Sequence, residues 1–248
     1  MQVGKRHIDQ GYETELDELL AAVLMMGATV ESHFSESVRA FADLDLRTAQ
    51  AVANSDSAVD RLEREIDATC VQLLARRQPM ASDLRFVTTI LKVVTDLERI
   101  GDLATGICER TLDSKGTPHQ RALGDLEHLS ALARDMLHDA LDSLVAGDVI
   151  RAGRLVQRDR EIDEHYARFA SALAASMARH PDRIESMMRI WVVAKAIERV
   201  ADHATSIAEM VVFMVDGRDV RHAALAFETG SGGPVRVASG RPRGSLPR

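Results

Sequence analysis

A twelve-residue segment that occurs twice, one hundred positions apart, most strongly constrains how this chain can fold. The first copy runs from Glu98 to Glu109 and the second from Glu198 to Glu209, with seven of the twelve positions identical. In each copy, acids at the first, fifth and twelfth positions and a threonine at the eighth fall on one side of a helix. The duplication predicts two copies of one helical unit.

The same side of each helix is apolar in the turns before the acids, so the carboxylates are expected to continue a core-facing stripe. Buried carboxylates are costly unless they are protonated, paired or bound to a metal. They are therefore candidate functional groups. The apolar positions are Leu84, Val87, Leu91 and Val94 in the first copy, and Ile184, Met187, Trp191 and Ala194 in the second.

Hydrophobic periodicity and helix-cap signals predict six helices in two sets of three. Asp45 and Asp148 are predicted N-caps, and Pro79 and Pro181 break the chain at matching points. The offset between repeats falls from 103 to 100 across that break, which predicts a second loop three residues shorter. The predicted helices cover about residues 12–42, 45–76, 82–112, 120–145, 147–179 and 182–215.

These helices indicate an all-α fold built from two tandem three-helix bundles. The first repeat is predicted to span residues 8–114 and the second residues 118–217. Residues 218–248 are rich in Gly, Ser, Pro and Arg without any period, so we predict a disordered tail.

Composition narrows the functional class. A net charge of -7 argues against a general nucleic-acid binder. Two cysteines, Cys70 and Cys108, provide no disulfide framework, which favours a reduced, cytoplasmic setting. No apolar run approaches the roughly 20 residues that a membrane span needs. We therefore expect contact with a membrane only through a partner.

A second acidic pair lies one helix earlier in each repeat, at Asp56 and Asp60 and, offset by 103, at Asp159 and Asp163. Antiparallel packing would bring each pair to the acids of the next helix. Four converging carboxylates raise one another's pKa, and a hard cation relieves that repulsion. Oxygen ligands favour Mg²⁺, Mn²⁺, Ca²⁺ or iron. His203 is about 100° around the helix from Asp202 and is not counted as a ligand.

Salt bridges are the competing explanation for these acids. The arginines available for them are Arg61, Arg64, Arg99, Arg158, Arg160 and Arg199. The small residues Gly101 and Ala201, between the acids, are explained by close approach of helices. The loop from Arg76 to Arg85 could bind an anion at the start of a helix or form a solvated charged turn. The chain contains no P-loop, dinucleotide-binding or nucleophile-elbow motif, and no Glu-x-x-His pair of the di-iron bundles.

Three segments, Arg77–Arg85, Asp96–Asp102 and Glu198–Thr205, closely resemble the PhoU family of accessory and regulatory proteins of bacterial phosphate-specific transport. The resemblance covers about residues 8–222 and implies two three-helix bundles related by a pseudo-twofold axis. It also implies multinuclear clusters of Fe, Mn, Mg or Zn on Glu/Asp-x-x-x-Asp motifs. The corresponding positions are Glu98, Asp102, Glu198 and Asp202, with Asp56, Asp60, Asp159 and Asp163 opposite them.

The function implied by this resemblance is negative regulation of phosphate uptake and of the phosphate-starvation response. Such a protein links the ATPase of the phosphate ABC transporter to a sensor histidine kinase, and it is an adaptor rather than an enzyme. A cytoplasmic homodimer that does not bind DNA directly is expected. Two other classes stay open, a metal-dependent enzyme that uses the carboxylate cluster and a metal-free helical adaptor.

Overall fold

The computed structural model describes residues 10–114 and 123–220, which form six α-helices and one short 3-10 helix and contain no strand. The predicted all-α fold is confirmed. The predicted tail lies outside the described residues from position 221 onward, but Val220, within that prediction, is buried in the core. The helices are α1 (Gln10–Asp43), α2 (Leu46–Arg77), α3 (Ser82–Leu112), α4 (Leu123–Ala146), α5 (Val149–Arg179) and α6 (Ile184–Asp216), with the 3-10 helix at Pro181–Arg183.

The two predicted N-caps are confirmed. The carboxylates of Asp45 and Asp148 each accept hydrogen bonds from the backbone N–H groups two and three positions further on. The residue before each cap has a positive φ, 55° at Leu44 and 61° at Gly147. The chain therefore reverses sharply before α2 and before α5, which keeps both connections short.

Asp148→Ala is expected to lower the free energy of unfolding by about 1 kcal/mol, because two N–H groups at the start of α5 lose their acceptor. Urea denaturation would measure the change. Asp135→Ala is the control, since Asp135 is exposed and makes only a surface contact of 3.4 Å with Arg134. It should change the free energy of unfolding by less than about 0.5 kcal/mol, the usual range for surface substitutions. Equal effects of the two substitutions would contradict the capping role.

The predicted shortening of the second inter-helix loop is wrong. Residues 78–81 connect α2 to α3, and residues 180–183 connect α5 to α6, so both links have the same length. The missing residues come instead from the end of α5 and the start of α6. Pro181 cannot continue α5 because it lacks an N–H, and it begins the 3-10 helix that leads into α6.

The two repeats share one contiguous core. Helix α3 packs against α6 and α1 packs against α4 across the boundary between repeats, while α2 and α5 lie on the outside. Gly27 permits the close crossing of α1 and α4, since a Cβ there would lie 2.7 Å from Cδ1 of Leu141. Gly101 permits the approach of α2 to α3, as predicted, because a Cβ there would lie 3.3 Å from Cγ1 of Val59.

The cysteines are buried as free thiols, Cys70 in this shared core and Cys108 in a small separate cluster with Ala40, Ala49 and Val52. Burial raises the pKa of Cys70 to about 12 and that of Cys108 to about 11, so both are protonated and unreactive at neutral pH. Among the helices of residues 10–114 and 123–220, none combines the length and the hydropathy required to cross a bilayer.

Candidate metal centre

The repeated acids lie along the edge of the apolar stripe and not within it. Leu84 and Ile184, expected in the core, are 42% and 44% exposed because they lie in the first turn of α3 and α6, beyond most of the packing partners. Val87, Val94 and Ala194 are buried as predicted. Glu198 is buried and Glu98 is half-buried, whereas Asp102 and Asp202 are exposed.

Three carboxylates converge in the second repeat. Asp163 on α5 and Glu198 and Asp202 on α6 each place an oxygen within 4.8 Å of the others. Such a set of oxygen donors fits a hard divalent cation, which would bridge α5 and α6. The arrangement brings together three of the four acids that the sequence predicted for this site.

The fourth acid, Asp159, is held one turn away by a threonine. Oγ1 of Thr205 donates a hydrogen bond of 3.0 Å to Oδ1 of Asp159. Burial raises the pKa of Asp159, the Thr205 hydrogen bond lowers it, and the charges of Asp163 and Glu198 raise it again. The threonine of the repeated segment therefore orients this carboxylate beside the cluster.

The cluster carries excess negative charge even though one lysine lies beside it. Burial raises the pKa of Asp202 to about 6, and the nearby charges of Glu198 and Asp159 add to the shift. Nζ of Lys195 lies 2.5 Å from Oε2 of Glu198 and also over the ring of Tyr166. Only arginines were considered as counterions from the sequence, so Lys195 was missed. The i, i+3 spacing of Lys195 and Glu198 on α6 was the signal that could have revealed it.

Asp202→Asn is expected to stabilise the metal-free protein at pH 7.5. Folding raises the pKa of Asp202 from 3.8 to about 6, so the ionised carboxylate destabilises the fold above pH 6, and this penalty disappears below pH 4. Two pK units correspond to about 3 kcal/mol, which solvent screening at this partly exposed group reduces to about 1 kcal/mol. Urea denaturation between pH 4 and 8 would measure it. A variant less stable than wild type at pH 7.5 would contradict the assignment.

In the first repeat an arginine pairs with the equivalent acids. Nε of Arg99 lies 3.5 Å from Oε2 of Glu98, and its Nη1 lies 3.3 Å from Oδ2 of Asp102. Oγ1 of Thr105 donates a hydrogen bond of 2.9 Å to Asp56, which repeats the pairing of Thr205 with Asp159. The salt-bridge interpretation therefore describes the first repeat.

In the second repeat the ion pair is made by a lysine, Lys195, instead of an arginine. Arg158 pairs with Asp139 on α4. The side chain of Arg199, the counterpart of Arg99, makes no ion pair or hydrogen bond among the residues that the structure describes. The two acidic sites are thus electrostatically different, although their sequences repeat.

Asp60 and Glu63 on α2 complete the acidic surface of the first repeat. Burial raises the pKa of Glu98, and the charges of Asp102, Glu63 and Asp60 raise it further, against the lowering effect of Arg99. Burial likewise raises the pKa of Glu63, together with Asp67 and Asp60. Glu63 was not among the predicted ligands, yet its position one turn after Asp60 places it on the same side of α2.

A polar contact between the repeats was not predicted from the sequence. Asp96 on α3 accepts a hydrogen bond of 2.8 Å from Nδ1 of His203 and one of 2.9 Å from Oγ of Ser206, both on α6. The three side chains are half-buried. His203 is directed at Asp96, so it joins the two repeats.

The arginines of the loop before α3 are used within the chain. Arg77 makes two hydrogen bonds to the carboxylate of Glu15 on α1, of 2.7 and 3.1 Å. Nε of Arg85 donates to the carbonyl oxygen of Met214 near the end of α6. Two interpretations of this loop were drawn from the sequence, anion binding and a solvated turn. Neither included contacts from Arg77 and Arg85 to other helices of the chain.

Comparison with known proteins places this arrangement in a family. The model of the PhoU domain matches the chain twice, over residues 23–111 and 126–211, and each match contains one of the repeated acidic segments. The chain belongs to the PhoU family. The two matches correspond to the two sets of three helices, although each covers only part of its first helix.

Relatives and solved structures agree with that assignment. The chain is 38% identical to the phosphate-specific transport system accessory protein PhoU homolog of Pseudomonas putida, over 88% of this chain and 86% of that one. It is 36% identical to the PhoU accessory protein of Escherichia coli K12, over 88% of this chain and 90% of that one. The crystal structure of PhoU from Pseudomonas aeruginosa superposes with a TM-score of 0.80 at 35% identity, covering 84% of this chain and all of that one.

Proposed function

We propose that this PhoU-family chain is a negative regulator of phosphate uptake and of the phosphate-starvation response. In this role it acts in the cytoplasm as a homodimeric adaptor. It contacts the ATPase of the phosphate ABC transporter and a sensor histidine kinase, without catalysis or direct DNA binding. The proposal is supported chiefly by the two PhoU-domain matches and by relatives named as accessory proteins of phosphate-specific transport.

The repeated acids are proposed as metal ligands within this role. In the second repeat Asp163, Glu198 and Asp202 would hold a divalent or iron cation, with Asp159 beside them. Their mutual distances and the raised pKa of Asp202 support this assignment, since both indicate negative charge that Lys195 alone does not balance. In the first repeat Glu98, Asp102, Asp56 and Asp60 would form a weaker site, because among the described residues only the acids of the second repeat converge within 4.8 Å.

Deletion of the gene tests the regulatory role. In phosphate-rich medium, loss of a negative regulator should raise secreted alkaline phosphatase activity to the level of phosphate-starved cells, and the intact gene should restore repression. In a strain with a second PhoU-family gene, both genes are deleted before the comparison. Unchanged phosphatase activity in the strain lacking all copies would contradict negative regulation.

A metal-dependent hydrolase is the second candidate, because a cation held by the carboxylates Asp163, Glu198 and Asp202 could activate a bound water. Turnover of p-nitrophenyl phosphate by the pure, Mn²⁺-loaded protein would test it. We expect no turnover above the metal-only reaction. Robust turnover that Glu198→Gln abolishes would replace the adaptor with the enzyme.

A further inference from the structure

The contact between α3 and α6 contains two sets of positions that the sequence repeat relates to each other, and their side chains differ. On one side Asp96 is bonded to His203 and Ser206. One hundred positions away, the counterparts of these residues are Ala196, Leu103 and Gly106, none of which has a polar side chain. At these three positions the two helices enclose an open groove of about 320 Å³ instead of a polar contact.

Gly106 is the residue of this groove that the packing of the chain does not explain. A Cβ at Gly106 would meet no atom within 4 Å, whereas one at Gly101, five residues earlier, would press on Val59. Glycine in a helix interior is destabilising relative to alanine. The fold gives no reason for glycine at position 106, and its effect is to keep the groove open.

An exposed apolar stripe on α6 leads into the groove. Ile184, Met188 and Val192 follow one another at four-residue intervals and are 44%, 47% and 44% exposed. Trp191 and Val192 then line the groove itself. The counterparts of Met188 and Val192 on α3 are polar, Thr88 and Lys92. A contiguous exposed stripe of this kind marks a surface for another protein, and its spacing fits a helix.

The rim of the groove is positively charged. Arg110 and Arg199 line it, and their side chains make no ion pair or hydrogen bond among the described residues. Lys195 is paired with Glu198, and Asp102 with Arg99. The whole chain carries a net charge of -7, so this cationic rim differs from the average surface. A second copy docked through the same face would bring like charges together, which disfavours self-association here.

We propose that this groove binds an amphipathic helix of a protein partner, with acidic residues flanking its apolar side. The apolar side of that helix would lie on Trp191, Val192 and Leu103, and its flanking carboxylates would reach Arg110 and Arg199. This proposal deepens the adaptor role and rests on it only for the identity of the partner. The length from Ile184 to Arg199 accommodates about four turns of helix.

A displayed library of 16-residue helices tests the proposal, with fixed apolar positions, random flanks and the full-length protein as target. Acidic flanks should be enriched. Trp191 is the only tryptophan, so each selected helix should shift its fluorescence emission in a saturable way. Gly106→Met should weaken binding at least tenfold by filling the groove, as should Arg110→Glu with Arg199→Glu. Gly124→Met is the matched control, because Gly124 is also helical and open.

Several results would overturn the proposal. These are enrichment of basic flanks, no enrichment at all, binding that leaves Trp191 emission unchanged, or binding that survives Gly106→Met in a variant with wild-type circular dichroism. Dissociation of a homodimer by Gly106→Met would assign the groove to a second copy instead. The phosphatase assay in cells is independent of this binding assay, so failure of the groove and failure of the regulatory role are distinguishable.

Discussion

Adding Mn²⁺ to the metal-free protein is expected to raise its free energy of unfolding by about 2.7 kcal/mol when free Mn²⁺ reaches one hundred times its Kd. The gain arises because Asp163, Glu198 and Asp202 meet only in the folded state, where a cation relieves their repulsion. Urea denaturation of chelator-treated protein at pH 7.5, over a series of Mn²⁺ concentrations, measures the effect. Mg²⁺ in a parallel series would compare the preference for a second hard cation.

Matched glutamines in the two repeats provide the control. Glu198→Gln should lose most of the stabilisation by Mn²⁺, because it removes the buried ligand of the stronger site. Glu98→Gln should keep most of it, because Glu98 is not part of the three acids that converge among the described residues. Equal losses in the two variants would contradict the difference between the sites, and no stabilisation of wild type would contradict the metal centre.

Asp96→Ala is expected to lower the free energy of unfolding by about 2–3 kcal/mol. This is the range for removing a charged acceptor when its partly buried donors are left without a partner. The substitution removes the acceptor of both His203 and Ser206 at the contact between the repeats. Urea denaturation in chelator at pH 7.5 would measure the loss without any contribution from metal.

Asp96→Asn is the informative companion to this variant. The asparagine carbonyl still accepts one hydrogen bond, so we expect about half of the alanine effect. Ala196 is the natural counterpart of Asp96 in the other repeat, and Ala196→Ser should have a small effect because Ala196 borders the open groove. A change below about 0.5 kcal/mol for Asp96→Ala would show that this contact contributes little to the docking of the repeats.

The sequence predicted most of the fold because its signals are local. Asp45, Asp148, Pro79 and Pro181 act on their own turns, so helix boundaries could be placed within a few residues. The exposure of Leu84 and Ile184 could not be read this way. Their periodicity is that of core residues, and only the tertiary arrangement determines that the first turns of α3 and α6 extend past their neighbours.

The candidate site was predicted in composition but not in detail. The repeated acids and the small residue Gly101 followed from spacing, since position on a helix surface depends on sequence separation alone. Other features depend on how α4, α5 and α6 pack. Arg158 pairs with Asp139 and not with the cluster, and the side chain of Arg199 has no partner among the described residues. Spacing within one helix carries no information about that packing, so two sites with the same motif were predicted to be alike.

The role of the acidic cluster in regulation can be measured as alkaline phosphatase activity in phosphate-rich medium, in a deletion strain carrying one copy of the Glu198→Gln gene. We expect activity as high as in the deletion strain, with the variant protein present at the wild-type level. Such a result would assign regulation to the acidic cluster that Glu198 shares with Asp163 and Asp202. Repression equal to that given by the intact gene would contradict this claim and favour a metal-free adaptor.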